Sequence, residues 1–259
     1  MGLTPLVAAL LLAVSPVSFL QAHAAGGAYA EPGGTADASL TSWAVLGLRA
    51  AGADSTDSLA YLQSQEASLG TSNEVAIVAL AEQALGAHPE ALLARLRVRP
   101  SGQIGENLNS TFWGVLALGR STAATTRFLL AHQARNGGWS WYAGGLPDSN
   151  DTAAALEALR VAGVHGRPVA RAVAFLRSFQ NRDGGFELTR GRGSDAQSTA
   201  WAIQGLVAAG SRPPRSAFAD LARLKRPDGS YRYSARYATT PVWVTAQVLA
   251  ALAKKPFPL

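Results

Sequence analysis

Hydrophobic and polar positions fall into two kinds of segment that alternate along the chain. In the first kind, small and apolar residues run almost all the way round a helix, at 37–52, 72–80, 107–119, 148–163, 195–210 and 240–252. A helix without a polar face predicts burial on both sides. The second kind, at 55–65, 89–98, 122–133, 168–180 and 215–225, has apolar residues at i, i+3, i+4 spacing and charges elsewhere. Ala172, Phe175, Leu176 and Phe179 form such a stripe opposite Arg171 and Arg177, which predicts half-buried helices. Alternation of the two kinds predicts two concentric layers of helices.

The buried segments are copies of one another. DASLTSWAVLGLRAAG at 37–52 and DAQSTAWAIQGLVAAG at 195–210 agree without a gap in aspartate, threonine, tryptophan and the closing Ala-Ala-Gly. Aligning all six segments places Thr41, Asn73, Thr111, Thr152, Thr199 and Pro241 in one column, 32 to 47 residues apart. That period is the length of a helix-turn-helix repeat. The same alignment puts Trp43, Trp113, Trp201 and Trp243 in a second column, a girdle at one level. If the girdle faces the axis it lines an apolar, aromatic cavity; if it faces outward it is ordinary core.

Punctuation supports the boundaries. Asp148 and Ser149 are candidate N-caps, and Ser194 with Gln197 has capping-box spacing. Gly52, Gly163 and Gly210 stand where a left-handed C-terminal residue belongs. After the outer helices, Gln133 is followed by Gly137, Gly138 and Trp139, Gln180 by Gly184, Gly185 and Phe186, and Lys225 by Gly229, Ser230 and Tyr231. The glycine supplies positive φ, and the aromatic folds back as a plug between outer helices or stacks on a ligand.

Composition and charge refine this picture. Hydrophobic residues make up 48% of 259, enough for a sizeable core. With no cysteine, neither a disulfide framework nor a thiolate metal site can form. The formal charge of +6 comes almost wholly from arginine, clustered in the C-terminal half. No nucleic-acid motif accompanies it, so we expect no nucleic-acid partner and read the cluster as a solvated outer surface, with an anionic envelope surface as a candidate contact. An apolar run from Leu6 to Leu20 followed by Ala22-His23-Ala24 predicts a signal peptide over 1–24, hence a secreted or envelope protein, with an uncleaved membrane anchor as the rival. A disordered linker is expected over 25–36 and the repeat domain over 37–259.

Arg171, Ala172, Phe175, Leu176, Gln180, Gly184 and Phe186 resemble the QW motif of squalene cyclases, with Phe in place of the final Trp. The repeat as a whole is similar to those of terpenoid cyclases and protein prenyltransferases. The resemblance implies an all-α fold, an (α/α)6 toroid of about six helix hairpins with inner and outer layers. Other carriers and scaffolds share that architecture, so it does not choose a function.

Candidate chemistry concentrates at Asp148, Asn150 and Asp151. In class II terpene cyclases the same place carries DxDDTA, whose middle aspartate protonates an alkene or epoxide; here that residue is Asn150, which is not an acid. Asp148 and Asp151 remain as weak candidate acids or as helix caps. Those cyclases also resemble two fused rings, where this chain supplies one. The prenyltransferase resemblance fails on metal ligands, because Cys is absent and His23, His88, His132 and His165 are scattered, so no metal and no cofactor is expected. We therefore expect a non-catalytic ring that binds a small hydrophobic, isoprenoid-like ligand or an envelope partner. Its cavity candidates are Trp43, Trp113, Thr152, Asp195, Trp201 and Trp243. A divergent terpene cyclase and a protein-interaction scaffold are the alternatives, and a glycan enzyme using Trp139, Trp141, Tyr142, Asp148 and Asp151 has no sequence support.

Overall fold

A computed structural model describes residues 14–259, and twelve helices account for most of them. Six are inner: α2 (Ala38–Ala50), α4 (Ser72–Ala84), α6 (Leu108–Leu118), α8 (Ser149–Val161), α10 (Ala196–Ala208) and α12 (Pro241–Ala253). Each packs on its two inner neighbours and α12 returns to α2, so the inner helices close a ring. The outer helices are α1 (Pro16–Ala22), α3 (Ser58–Gln65), α5 (Glu90–Arg95), α7 (Ala123–Ala131), α9 (Arg167–Arg177) and α11 (Arg215–Leu224). The molecule is an all-α toroid of six hairpins, as the repeat implied.

The inner helices lack a polar face because they have no solvent side. Along α2, every residue from Leu40 to Leu48 is buried. The outer helices have one dry face, as on α9, where Ala172, Phe175 and Leu176 are buried.

A repeated hydrogen bond joins the turn to the inner helix in five of the six units. The backbone N–H groups of Tyr29, Ile104, Trp139, Phe186 and Tyr231 donate to the hydroxyls of Thr41, Thr111, Thr152, Thr199 and Thr245 at 2.9 to 3.1 Å. This is why threonine recurs there. It also corrects the alignment at two units: Thr245, not Pro241, is the sixth unit's threonine, and in α4 the place four residues after the cap belongs to Val75, not Asn73.

The turn aromatics Trp139, Phe186 and Tyr231 are buried as plugs, not presented to a ligand. Gln133 and Gln180 fasten the joints: each donates from Nε2 to its own turn (Gly137 O, Gly184 O) and to the next outer helix (Pro168 O, Ser216 Oγ) at 2.8 to 2.9 Å. Arg171 reaches back the other way, donating to the carbonyls of Ala134 and Arg135 at 2.8 Å. At Gly184 (φ +93°) an added Cβ would collide with Ser216 of the next outer helix, and at Gly229 (φ +89°) with the backbone oxygen of Ser15.

That last contact revises the N-terminus. The proposed leader extends from residues 1–13, outside the described residues, into residues that the structure folds into the ring. Ser15 caps α1, Leu20 is fully buried, and the His23 ring lies 4.2 Å from Phe19 with Nδ1 2.8 Å from its carbonyl oxygen. Phe128 and His132 repeat that arrangement at the end of α7, at 4.2 and 2.8 Å. Residues 19–23, FLQAH, are therefore a repeat copy of FLLAH at 128–132, and α1 is the sixth outer helix. Among the described residues, the domain boundary at residue 37 moves upstream to Ser15.

The expected linker is also structured. Ala24–Ala25 pairs antiparallel with Ala28–Tyr29, and Glu31 accepts from the backbone N–H groups of Val242 and Trp243 at 3.0 and 2.8 Å, capping α12.

Candidate functional site: an axial cavity with an acid pair at its rim

Two of the residue columns set by the helix caps face the axis. Asp37, Thr71, Asn107, Asp148 and Asp195 each accept a backbone N–H three residues on, which fixes the rotation of their helices. The side chains two residues after the cap, Ser39, Asn73, Asn109, Asn150 and Gln197, make an upper ring, completed by Trp243. One turn deeper, Trp43, Ile77, Trp113, Ala154 and Trp201 make a lower ring, completed by Gln247. Between them lies a cavity of about 470 Å³.

The lower ring is a floor. Trp43 meets Trp113 and Trp201 edge to face at 5.4 and 5.6 Å, and Trp113 meets Trp201 at 5.5 Å. Indoles favour this geometry because the positive ring edge meets the negative face. Phe257 closes the floor further, 6.1 Å from Trp43, with its carbonyl held by Arg160. The girdle thus faces the axis and is also packed core, so the two readings offered by the sequence coexist. Trp243 is the exception: it lies one turn higher, in the polar ring, because α12 is shifted relative to the repeat alignment.

The upper ring carries a hydrogen-bond chain. Asn73 Nδ2 donates to Asn109 Oδ1 at 2.9 Å, and Asn109 Nδ2 donates to Asp151 Oδ1 at 2.6 Å, linking α4, α6 and α8. Asp148 Oδ1 accepts the backbone N–H of Asp151 at 2.8 Å. Burial pushes the carboxyl of Asp151 up to about 8, the adjacent Asp148 adds to the rise, and Asn109 opposes it. Burial raises Asp148 as well. The pair at the cavity rim therefore keeps a proton to higher pH than free carboxyls do.

The candidate residues sort as follows. Trp43, Trp113, Trp201, Trp243, Asp148 and Asp151 all line the cavity, as does Asn150. Thr152 and Asp195 do not. Thr152 is turned to the Trp139 backbone, and Asp195 caps α10 as Asp37 and Asp148 cap α2 and α8. Sequence reasoning missed Asn109, Gln247 and the Phe257 plug. A period counted from the caps would have found the first; the other two depend on the register of α12 and the path of the tail.

A second buried acid lies outside the cavity lining. Glu157 on α8 is fully buried with both carboxyl oxygens unpartnered, and burial pushes it up to about 8 against the pull of Arg160. Among the described residues no three His, Cys, Asp or Glu side chains converge as metal ligands, and no helix is long and apolar enough to cross a membrane.

No family model matches the chain, and no curated protein matches it by sequence. Solved structures do. A protein from Actinoplanes superposes with a TM-score of 0.71 at 19% identity, over 92% of this chain and 97% of that one. The type II terpene cyclase MstE from Scytonema, in complex with geranylgeranyl dihydroxybenzoate, gives 0.69 at 17% identity over 92% and 94%. ent-Copalyl diphosphate synthase from Streptomyces platensis gives 0.59 at 22% identity over 84% of this chain but 50% of its own length. The fold is terpenoid cyclase-like. The coverage of MstE also overturns the argument from size, because a ring of this extent carries a type II terpene cyclase.

Proposed function

We propose that the ring binds an uncharged, isoprenoid-like molecule in its axial cavity. The observation that carries this reading is the cavity itself: about 470 Å³, floored by Trp43, Trp113 and Trp201, with no lysine or arginine in its lining. Concave apolar sites of roughly 300–1,000 Å³ with a few directed polar groups are the usual form of a small-molecule site. The geranylgeranyl-bearing ligand of the Scytonema cyclase supports the same ligand class. Ala154 gives the test, because it is the small member of the lower ring. An isoprenoid such as farnesene or farnesol should quench tryptophan fluorescence at one equivalent per ring. Ala154→Trp should block that binding while circular dichroism stays helical. Unchanged binding in Ala154→Trp would sink the proposal.

A second reading, proton-initiated cyclisation, is favoured by Asp151. Burial pushes its carboxyl well above the usual carboxylate range, and it lines the cavity above the indole floor. In that reading the Asp151 O–H bond breaks as a C–H bond forms at an alkene carbon. The cation left on the neighbouring carbon rests against indole faces, and Asn109 Nδ2 holds the carboxylate until a proton is returned. Cyclised products from a linear polyprene, lost in Asp151→Asn, would support it; unreacted substrate would exclude it.

Export and an anionic envelope surface belong to the same proposal. Trp141, which also lines the cavity, is exposed together with Tyr142 and Leu146 of the same loop, and Arg190, Arg192 and Arg236 are exposed on the corresponding loops of the next two units. Sedimentation with phosphatidylglycerol vesicles tests it, with no recovery in the pellet counting against it.

A further inference from the structure

The cavity wall contains three buried polar atoms that the protein leaves without partners, Asn73 Oδ1 on α4 and two that stand together on α12. On α12, Trp243 Nε1 and Gln247 Oε1 are both buried and neither makes a hydrogen bond. Gln247 is 1% exposed, and both side chains line the axial cavity. They stand at i and i+4, so they are neighbours on one helix face. An indole N–H can only donate, and an amide oxygen can only accept. Their neighbours below are the indoles of the floor, and Trp43 lies 6.2 Å from Trp243, so the floor supplies no acceptor in exchange.

We infer that the ligand of this cavity is an isoprenoid alcohol, its hydroxyl oxygen accepting from Trp243 Nε1 and its hydroxyl proton going to Gln247 Oε1. A hydroxyl is the smallest group that does both at once. An ether or ketone oxygen satisfies Trp243 alone, and a hydrocarbon satisfies neither, leaving buried polar atoms unpaired at a cost in affinity. A diphosphate is excluded on charge: no cationic side chain lines the cavity to pair with it, while Glu74, whose carboxyl the Thr71 and Gly70 N–H groups hold in its ionised form, does line it. The inference rests on the cavity-binding reading above and sharpens it from an apolar class to an oxygenated one. It also places the two ends of the ligand. The hydroxyl sits at α12, while the chain crosses the indole floor toward Trp113 of α6, opposite α12 in the ring, and the space beside Ala154 of α8.

The test compares farnesol, farnesyl methyl ether, farnesene and farnesyl diphosphate on the full chain by isothermal titration. Farnesol is expected to bind roughly tenfold or more tightly than the ether or the hydrocarbon. The diphosphate should not bind. Gln247→Leu should reduce farnesol to the level of farnesene and leave farnesene unchanged, and Trp243→Phe should do the same from the donor side. Equal affinity for farnesol and farnesene in the unaltered protein overturns the hydroxyl site without touching the cavity reading, and needs no variant to fold. A farnesol preference that survives both substitutions also overturns it. Failure of all four probes to bind removes the cavity reading and this inference together.

Discussion

Asn109 on α6 donates from Nδ2 to Oδ1 of Asp151 on α8 across 2.6 Å, at the rim of the axial cavity. This bond ties adjacent inner helices and orients the carboxyl whose protonation burial enforces. A group with a raised folded pKa contributes stability that is full below its unfolded value, near 3.8, and is lost as pH rises through about 8.

The protein should therefore melt at its highest temperature in mild acid and lose stability through pH 8. Glu157, also pushed up to about 8, acts in the same direction. Each contributes a slope of about 1.4 kcal/mol per pH unit across the window where the unfolded carboxyl is ionised and the folded one is not. Thermal melts from pH 4 to 9 should show that decline, and Asp151→Asn should flatten part of it. A flat profile in the unaltered protein contradicts the assignment.

Ring closure through α1 makes Gly229 equivalent to Gly184. Both have positive φ, and both leave room only for a hydrogen against the next outer helix. Alanine at either should cost about 1–3 kcal/mol from the backbone conformation alone, with the collision added. Urea denaturation should give comparable losses for the two variants. If Gly229→Ala proves neutral while Gly184→Ala does not, α1 does not occupy the sixth outer place.

Removal of residues 1–24 should destabilise the ring, because it strips Leu20 and Phe19 from the core. Leu20→Ala alone should cost about 2–5 kcal/mol. N-terminal sequencing of exported material should find a mature chain that begins upstream of Pro16. A stable mature form beginning at Ala25 rejects this.

Thr245→Val keeps the shape of the side chain and deletes the acceptor of the Tyr231 N–H, 2.9 Å away. Stranding that buried donor should cost about 1–3 kcal/mol, measured by chemical denaturation. The variant distinguishes a hydrogen-bonded rung from a threonine retained only for packing.

Phe257→Ala should open the floor from below. The side chain is fully buried against the indoles, so truncation should cost about 3–5 kcal/mol. Tryptophan emission should shift to the red as water reaches Trp43 and Trp113. An unshifted spectrum means that the floor is sealed by the indoles alone.

The toroid was legible in the sequence because its cause is local and repeated. An inner helix with no polar face recurs in all six units, with a cap aspartate in three of them and the turn-binding threonine in five. The acid candidates were legible too, since Asp148, Asn150 and Asp151 begin an inner helix in plain view. What the sequence could not supply is rotation and register between units. One turn of offset in α12 moves Trp243 from the floor to the rim and sets it above Gln247, and no pattern within that helix reveals it; the hydrogen bond from Tyr231 to Thr245 does. Burial likewise belongs to the ring as a whole. The carboxyl of Asp151 is raised because the assembled ring buries it, and residues 16–22 read as a leader because an apolar run does not say which surface covers it. In this chain the covering surface is the ring that the run completes.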